Sequence, residues 1–234
     1  FCDNHGLLQV ANRPKWFTVA GGARQYVDAI LKTVPDARLS SPVSRITRDA
    51  NGVSITTARG TEHFDHVIVA SHPDQTLAML ADATPAETST LRAIRYQPNV
   101  AVLHTPSARQ AWSAWNYERA PALAQEDARV CLHYLINQLQ PLPFTQPVVV
   151  SLNPVSAIAP ESVLGTYHYD HPIFDLAAID AQRQIAGLQG TQHTYFCGAW
   201  TSYGFHGDGL QSGLRAANAL RAHLDMAATQ RISA

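Results

Sequence analysis

The sequence is short of charge, of cysteine and of long apolar runs, and each shortage closes off a class of protein. Charged residues make up 15% of 234, against about 25% in an ordinary soluble chain. Seventeen Lys and Arg face 18 Asp and Glu, for a formal net charge of −1. Without a basic excess there is little to gain from counterion release or from an anionic surface potential, which argues against nucleic acid and membrane-surface partners. No apolar run approaches the ~18 residues of a membrane-spanning helix, so no transmembrane segment is expected. No charged-then-apolar leader opens the chain. Cys2, Cys131 and Cys197 are odd in number and far apart, which is not a disulfide framework, and a reducing cytoplasm is the expected location. The chain has no G-x-G-x-x-G, P-loop, G-x-S-x-G or C-x-x-C, which removes the common phosphate-cradle and nucleophile-elbow signatures. It opens on Phe1, in sequence that already reads as ordered, as expected of a fragment.

What is present is a mixed α/β pattern. Tyr26, Val27, Ile30 and Leu31 fall on one helical face after Gly21-Gly22, and Pro35 closes that helix. Strand-like runs follow at 43–48, 53–57 and 63–70. Asn51-Gly52 between the first two predicts a type I′ hairpin turn, and Arg59-Gly60 a second turn. The run 64–70 is continuously apolar, as for a strand buried on both faces. A helix is expected over 73–80, and Thr84 before Pro85-Ala86-Glu87 has the form of a helix start. Strands are expected near 101–104, 130–136 and 147–152.

Two regions hold candidate chemistry. In Trp112-Ser113-Ala114-Trp115-Asn116-Tyr117, a strand would put Trp115 and Tyr117 on one face. Those aromatics are either ordinary core or the wall of an apolar ligand site. At the other end, the apolar strand Thr194 to Cys197 runs into Gly198, a Gly-rich loop and then a helix. Leu210, Leu214, Ala217, Leu220, Arg221 and Leu224 trace that helix's stripe, and Ser212, Gly213, Ala216 and Ala217 keep one side small. Strand, Gly-rich loop and helix start together aim backbone N–H groups and a positive dipole end at an anionic or electron-rich ligand. The competing account is a tight turn whose glycines only permit positive φ. His168, His171 and His206 lack partners at ligand spacing, so no metal site is expected. Cys197, ending an apolar strand, reads as an inert core thiol, and Asp170-His171-Pro172 as a capped turn.

At these residues the chain resembles the C-terminal part of a predicted NAD/FAD-binding family within the flavin amine oxidase and phytoene desaturase-like superfamily, in a bacterial branch associated with fatty-acid metabolism. The matching stretches are Asn4 to Leu8, Arg13-Pro14-Lys15-Trp16 with Gly21-Gly22 and Tyr26-Val27, and Phe64-Asp65 with Val67-Ile68 and Ala70. They continue through Ala111-Trp112 with Trp115-Asn116-Tyr117, Tyr167 to Pro172, Phe196 to Trp200, Tyr203 to His206 and Asp208-Gly209-Leu210. The resemblance implies the C-terminal part of a two-domain FAD-binding, glutathione reductase-like fold: a β-meander, a buried strand, a terminal helix and a substrate-domain sheet, without the N-terminal Rossmann βαβ. It implies a substrate-domain end at 1–15, FAD-domain segments at 16–76 and 191–226, a substrate domain at 77–190 and a tail at 227–234.

The same resemblance implies non-covalent FAD, held by Gly198, Ala199, Trp200, Phe205, His206, Asp208, Gly209 and Leu210, with Trp112, Trp115 and Tyr117 lining a cavity for a hydrophobic small-molecule substrate. The reaction implied is hydride transfer to flavin, as desaturation of a fatty-acyl group or oxidation of an amine, which needs no side-chain nucleophile. Two departures stand out. The Rossmann half that supplies most FAD contacts in the family is missing, so it would have to come from lost residues or a separate chain. Gly207 also stands where the family reads Glu, and the stretch from His104 to Ser107 is short. The alternative is an inert fragment or an apolar-ligand-binding module that holds no flavin by itself.

Overall fold

A computed structural model describes residues 11, 17–106, 113–118 and 131–232. The chain divides into two compact units, one of residues 1–96 with 172–234, the other of residues 97–171. The expected boundaries at 77 and 190 differ from these. In the structure the helices at 73–93 and 176–188 belong to the first unit.

The first unit opens with helix α1 (Arg24–Leu31) and a meander of β1 (Val43–Asp49), β2 (Gly52–Thr57) and β3 (Gly60–Phe64), paired antiparallel in that order. The hairpin forms, but not with the expected turn. Asp49 pairs with Gly52, so the turn residues are Ala50 and Asn51, and Asn51 is not among the described residues with positive φ. Gly52 instead starts β2 at φ 141°, where a Cβ would strike the Phe64 carbonyl oxygen. Its lack of a side chain serves the close approach of β2 to β3.

The expected third strand over 63–70 is two strands. β3 closes the meander, and β4 (Val67–Val69) turns away to pair in parallel with β10 (Thr194–Phe196). The expectation of burial on both faces fails at Ile68, which is 39% exposed. Among the described residues β4 has β10 as its sheet partner and no other.

Helix α2 (Pro73–Met79) follows, and then α3 (Pro85–Ala93) with its start as expected. The Thr84 hydroxyl accepts the Glu87 N–H at 3.1 Å and the Glu87 carboxylate accepts the Thr84 N–H at 2.8 Å, a capping box that satisfies two orphan donors. Helix α5 (Leu176–Leu188) lies against α3. The core joins Ile46, Val53, Val69, Leu91, Ile94, Ala181, Ile185, Phe196 and Trp200. The unit ends in the long helix α6 (His206–Ile232).

The second unit is a five-stranded sheet in the order β6-β7-β8-β5-β9, made of β5 (Tyr96–His104), β6 (Trp115–Glu118), β7 (Cys131–Leu135), β8 (Val149–Leu152) and β9 (Val163–Pro172), with a short helix α4 (Ile136–Leu139) after β7. Here Asp170-His171-Pro172 is the end of β9, not a capped turn. His171 Nδ1 lies 2.9 Å from the Asn99 side-chain amide on β5. The sheet pairing accounts for the extended backbone where local sequence suggested a turn.

Candidate functional site

The junction from β10 to α6 is built around Gly198. Its φ of 144° is in the region that L side chains avoid, and a Cβ there would run into the Trp200 indole. Trp200 is 3% exposed, and its Nε1–H donates to the Ser71 carbonyl just past β4 at 3.2 Å. The glycine therefore lets the chain fold its own tryptophan back beneath the strand ends. A 3₁₀ turn at Ala199–Thr201 follows, tied by the Thr201 hydroxyl to the Gly198 carbonyl at 2.9 Å.

Two polar side chains then hold the loop. Gln182 on α5 donates from one amide nitrogen to the carbonyls of Trp200 at 2.9 Å and Ser202 at 2.7 Å. Ser212 on α6 accepts the Gly198 N–H at 2.9 Å and donates to the Gly209 carbonyl at 2.7 Å, clamping the strand end to the helix. Asp208 Oδ2 accepts the N–H groups of Tyr203 at 3.2 Å and Phe205 at 3.1 Å. Its carboxylate is turned onto its own loop at the positive end of α6, which is where a helix favours an anion.

Past that cap the backbone is bare. A Cβ on Gly207 would meet nothing within 4 Å, and one on Gly209 would make only ordinary contact with Ala199 Cβ at 3.8 Å. Between His206 and Leu210, Gly207 and Gly209 thus leave backbone of the helix start open to an electron-rich group on either side of the Asp208 cap. Phe205 is half-buried, and His206 and Leu210 are exposed. His206 Nδ1 lies 3.3 Å from the Tyr26 hydroxyl of α1. Of the eight residues expected to hold a cofactor, the structure brings all eight to this one junction. Trp200 and Asp208 are engaged inward, in packing and capping, rather than facing open space.

The substrate-side candidates lie elsewhere. Trp112 is outside the described residues. Trp115 and Tyr117 share the exposed face of β6, at 42% and 63% exposure, and Trp115 meets Tyr134 edge-on with ring centroids 5.9 Å apart. They are not core aromatics in this structure. Cys197 is buried, and burial pushes its thiol pKa up, as expected of an inert core thiol.

Three features escaped the sequence reading. Ser212, Gln182 and Ser71 act across 14, 18 to 20 and 129 residues, and no local spacing announces them. Of the expected stripe on α6, Leu220 reaches the packing face, but most of the stripe does not. Leu210, Leu214 and Leu224 are 64%, 48% and 49% exposed, whereas Ser212 and Ala216 are buried, with Ala216 packed on Tyr195 and Cys197 and flanked by Ala219 and Leu220. The small side is the one that lets α6 approach β10. A cleft of about 430 Å³ also opens between α5 and α6, floored by Phe196 and edged by Gln182, Arg215 and Ser212. None of the eight expected residues lines it.

The flavin containing amine oxidoreductase family matches residues 2–127, more than half of the chain. The chain belongs to that family. No curated protein matches it closely enough to report. Among solved structures, a CLA-producing fatty acid isomerase from P. acnes superposes with a TM-score of 0.58 at 17% identity, covering 82% of this chain and 50% of the isomerase. Cyclohexylamine oxidase from Brevibacterium oxydans gives 0.56 at 18% identity, over 87% of this chain and 53% of the oxidase. Wild-type putrescine oxidase bound to putrescine gives 0.59 at 15%, over 86% and 53%. At these identities the likeness shows a shared fold, and the chain spans about half the length of each neighbour. That fold agrees with the mixed α/β architecture expected from the sequence.

Proposed function

We propose that the chain forms part of an FAD-dependent oxidoreductase that takes hydride from an apolar, acyl-type substrate. The observation that carries this reading is the bare helix start at Gly207 to Gly209 beside the clamped Gly198 loop, in a chain of the flavin amine oxidoreductase family. FAD, when bound, supplies the hydride acceptor. The chain's own part is to hold and shield. Ser212 and Asp208 fix the loop, and the dipole of α6 favours negative charge at its open end. Trp115 and Tyr117 offer apolar aromatic surface on the β6 side of the second unit, which we assign to the substrate. The structural neighbours include both a fatty acid isomerase and amine oxidases, so the preference for an acyl over an amine substrate rests on the apolar aromatic surface of Trp115 and Tyr117.

The reading includes a second half carrying the Rossmann βαβ, in the same polypeptide or as a separate chain. Its seat would be the surface that this chain leaves uncovered: Ile68 on β4, and Val27, Ile30 and Leu31 on α1, all more than a third exposed. Isolated apolar residues at a surface are ordinary, but a whole amphipathic helix face is not.

The test is the visible absorption spectrum of the purified chain before and after FAD is added, beside the same chain joined to a Rossmann half. Flavin retained by the joined form, and lost on Gly209→Val without unfolding, supports the assignment. A joined form that folds and stays colourless, or a Gly209→Val variant with full flavin content, removes the loop from the cofactor site and leaves the apolar binding module.

A further inference from the structure

One face of the second unit's sheet carries a line of polar side chains that plays no part in the reading above. Register builds it. Glu118 pairs with Cys131 and Asn116 with His133 across β6 and β7, and His133 pairs with Ser151 across β7 and β8. Ser151 pairs with Val102 on β5, which puts His104 on the same face two residues on. His104, Ser151 and Cys131 are 3%, 0% and 0% exposed.

The hydrogen bonds run in one direction. His104 Nδ1 faces the Thr105 carbonyl at 3.2 Å, which can only accept, so that nitrogen carries a proton. Buried with no carboxylate beside it, the His104 ring is neutral, and its Nε2 accepts from the Ser151 hydroxyl at 2.7 Å. A serine has one proton to give. Ser151 Oγ must therefore accept at 2.6 Å from His133 Nδ1–H. His133 Nε2 faces Glu118 Oε2 at 2.9 Å and Cys131 Sγ at 3.5 Å. Glu118 is held in turn by Ser156, whose hydroxyl donates to its other oxygen at 2.5 Å.

This is not the arrangement of a nucleophile with its base. In such a triad the thiol and the carboxylate use opposite nitrogens of the imidazole, and here both converge on Nε2. Convergence of S, N and O donors on one point is what a metal ion needs. A tetrahedral zinc ion spaces such donors at roughly 3.5 Å (S to N), 3.6 Å (S to O) and 3.4 Å (N to O), from its usual bond lengths. The observed spacings are 3.5, 3.9 and 2.9 Å. The Glu118 to His133 pair has to open by about 0.5 Å and the Cys131 to Glu118 pair to close by about 0.3 Å.

We propose that Glu118, Cys131 and His133 bind a divalent transition ion of the zinc class, with a water in the fourth position. On binding, the Cys131 thiol gives its proton to solvent, so thiolate and carboxylate balance the ion's charge. Ser151 acts as a positioning residue: it receives Nδ1–H and holds the ring in the tautomer whose Nε2 is the ligand. The ion ties β6, the edge strand, to β7. The sequence expectation of no metal site rested on ligand spacing along the chain, and these three donors are assembled by strand register instead.

The test is dialysis of the full chain against Zn²⁺, with metal content measured by mass spectrometry, and a parallel titration with Co²⁺ followed by absorption. One ion per chain is expected, with the visible bands of tetrahedral cobalt and a sulfur-to-cobalt charge-transfer band. His133→Gln and Cys131→Ser should abolish uptake, and Ser151→Ala should weaken it by about 10–100-fold. Ser151→Ala and the wild-type cobalt spectrum keep the test sound if a ligand variant fails to fold. No stoichiometric uptake would overturn the proposal and leave a protonated His133 paired with Glu118. So would uptake without a thiolate band, or uptake unchanged in Glu118→Gln and Ser151→Ala, which would mark adventitious binding at other histidines.

Discussion

Arg48 and Glu87 form an ion pair with no solvent exposure on either side chain, bridging β1 to the first turn of α3. Two bonds of 2.5 and 2.9 Å join the guanidinium to the carboxylate, and Arg48 also reaches Asp82 and the Thr194 hydroxyl at the start of β10. Burial works against the Glu87 charge, but Arg48 and the Thr84 N–H overcome it and hold the carboxyl below its usual range. The same glutamate closes the capping box with Thr84. One side chain thus starts a helix and neutralises a buried cation under the strand that leads to the candidate site.

Removing it should cost far more than the loss of a cap. Glu87→Ala leaves Arg48 buried with only the partly exposed Asp82 as a counter-charge. We expect about 3–5 kcal/mol of destabilisation, the usual cost of orphaning one member of a buried pair. Thr84→Ala, which removes the cap alone, should cost about 1 kcal/mol. Urea unfolding of both variants separates the two contributions, and equal losses would show that the pair contributes nothing beyond the cap.

The glycines around the junction should behave oppositely. At Gly198 both a φ of 144° and the Trp200 indole stand against a side chain. Gly198→Ala is expected to destabilise by at least about 2 kcal/mol, from backbone strain together with displaced packing. Gly213, inside α6 with nothing within 4 Å of where a Cβ would sit, has neither obstacle. Gly213→Ala should raise the stability of this chain by about 1 kcal/mol, the helix-propensity difference. Thermal unfolding reads both, and a destabilised Gly213→Ala would contradict the open space seen there.

How much of this was legible in sequence follows from how local each cause is. The Thr84-x-x-Glu87 cap, α1 and the meander rest on chemistry within a few residues, and the sequence reading found them. The strand expected over 63–70 was split because an apolar run does not say which neighbours it will meet. Phe64 pairs with Val53 while Val67 pairs with Thr194. Gly198 stands out in sequence as the end of a strand before a Gly-rich loop, but its partner Ser212 shows there only as a small side chain. Cys131-x-His133 carried a faint signal, two donors on one strand face, whose meaning depends on Glu118 and Ser151 from neighbouring strands.

The pH dependence of stability should come from the half-buried His66 and the buried His104. Burial, then the neighbouring His193 and His223, hold His66 below its ordinary pKa, against a smaller opposing pull from Asp65. Burial does the same to His104. A histidine with a depressed folded pKa takes up its proton more readily when unfolded. Its stabilisation is therefore complete above the ordinary value of about 6.5 and is lost as pH falls through the folded value. Unfolding free energy should decline between about pH 7 and pH 5.5. His66→Gln should flatten that decline, and an unchanged slope would assign it to other groups.

The two faces of α6 give the sharpest contrast. Ala216 is fully buried against Tyr195 and Cys197, so Ala216→Leu must push the helix off β10, at an expected cost of about 1–3 kcal/mol. Leu214 is 48% exposed, and Leu214→Lys should change the stability of this chain by no more than about 0.5 kcal/mol. By amphipathic spacing alone the two substitutions would be ranked the other way round, with the leucine as the core residue. If the uncovered stripe of Leu210 and Leu214 instead meets the Rossmann half, Leu214→Lys should lower flavin retention in the joined protein while sparing the isolated chain. Urea unfolding of the chain and flavin content of the joined form, measured on the same variant, distinguish a surface leucine from an interface leucine. A loss in both would return Leu214 to the core.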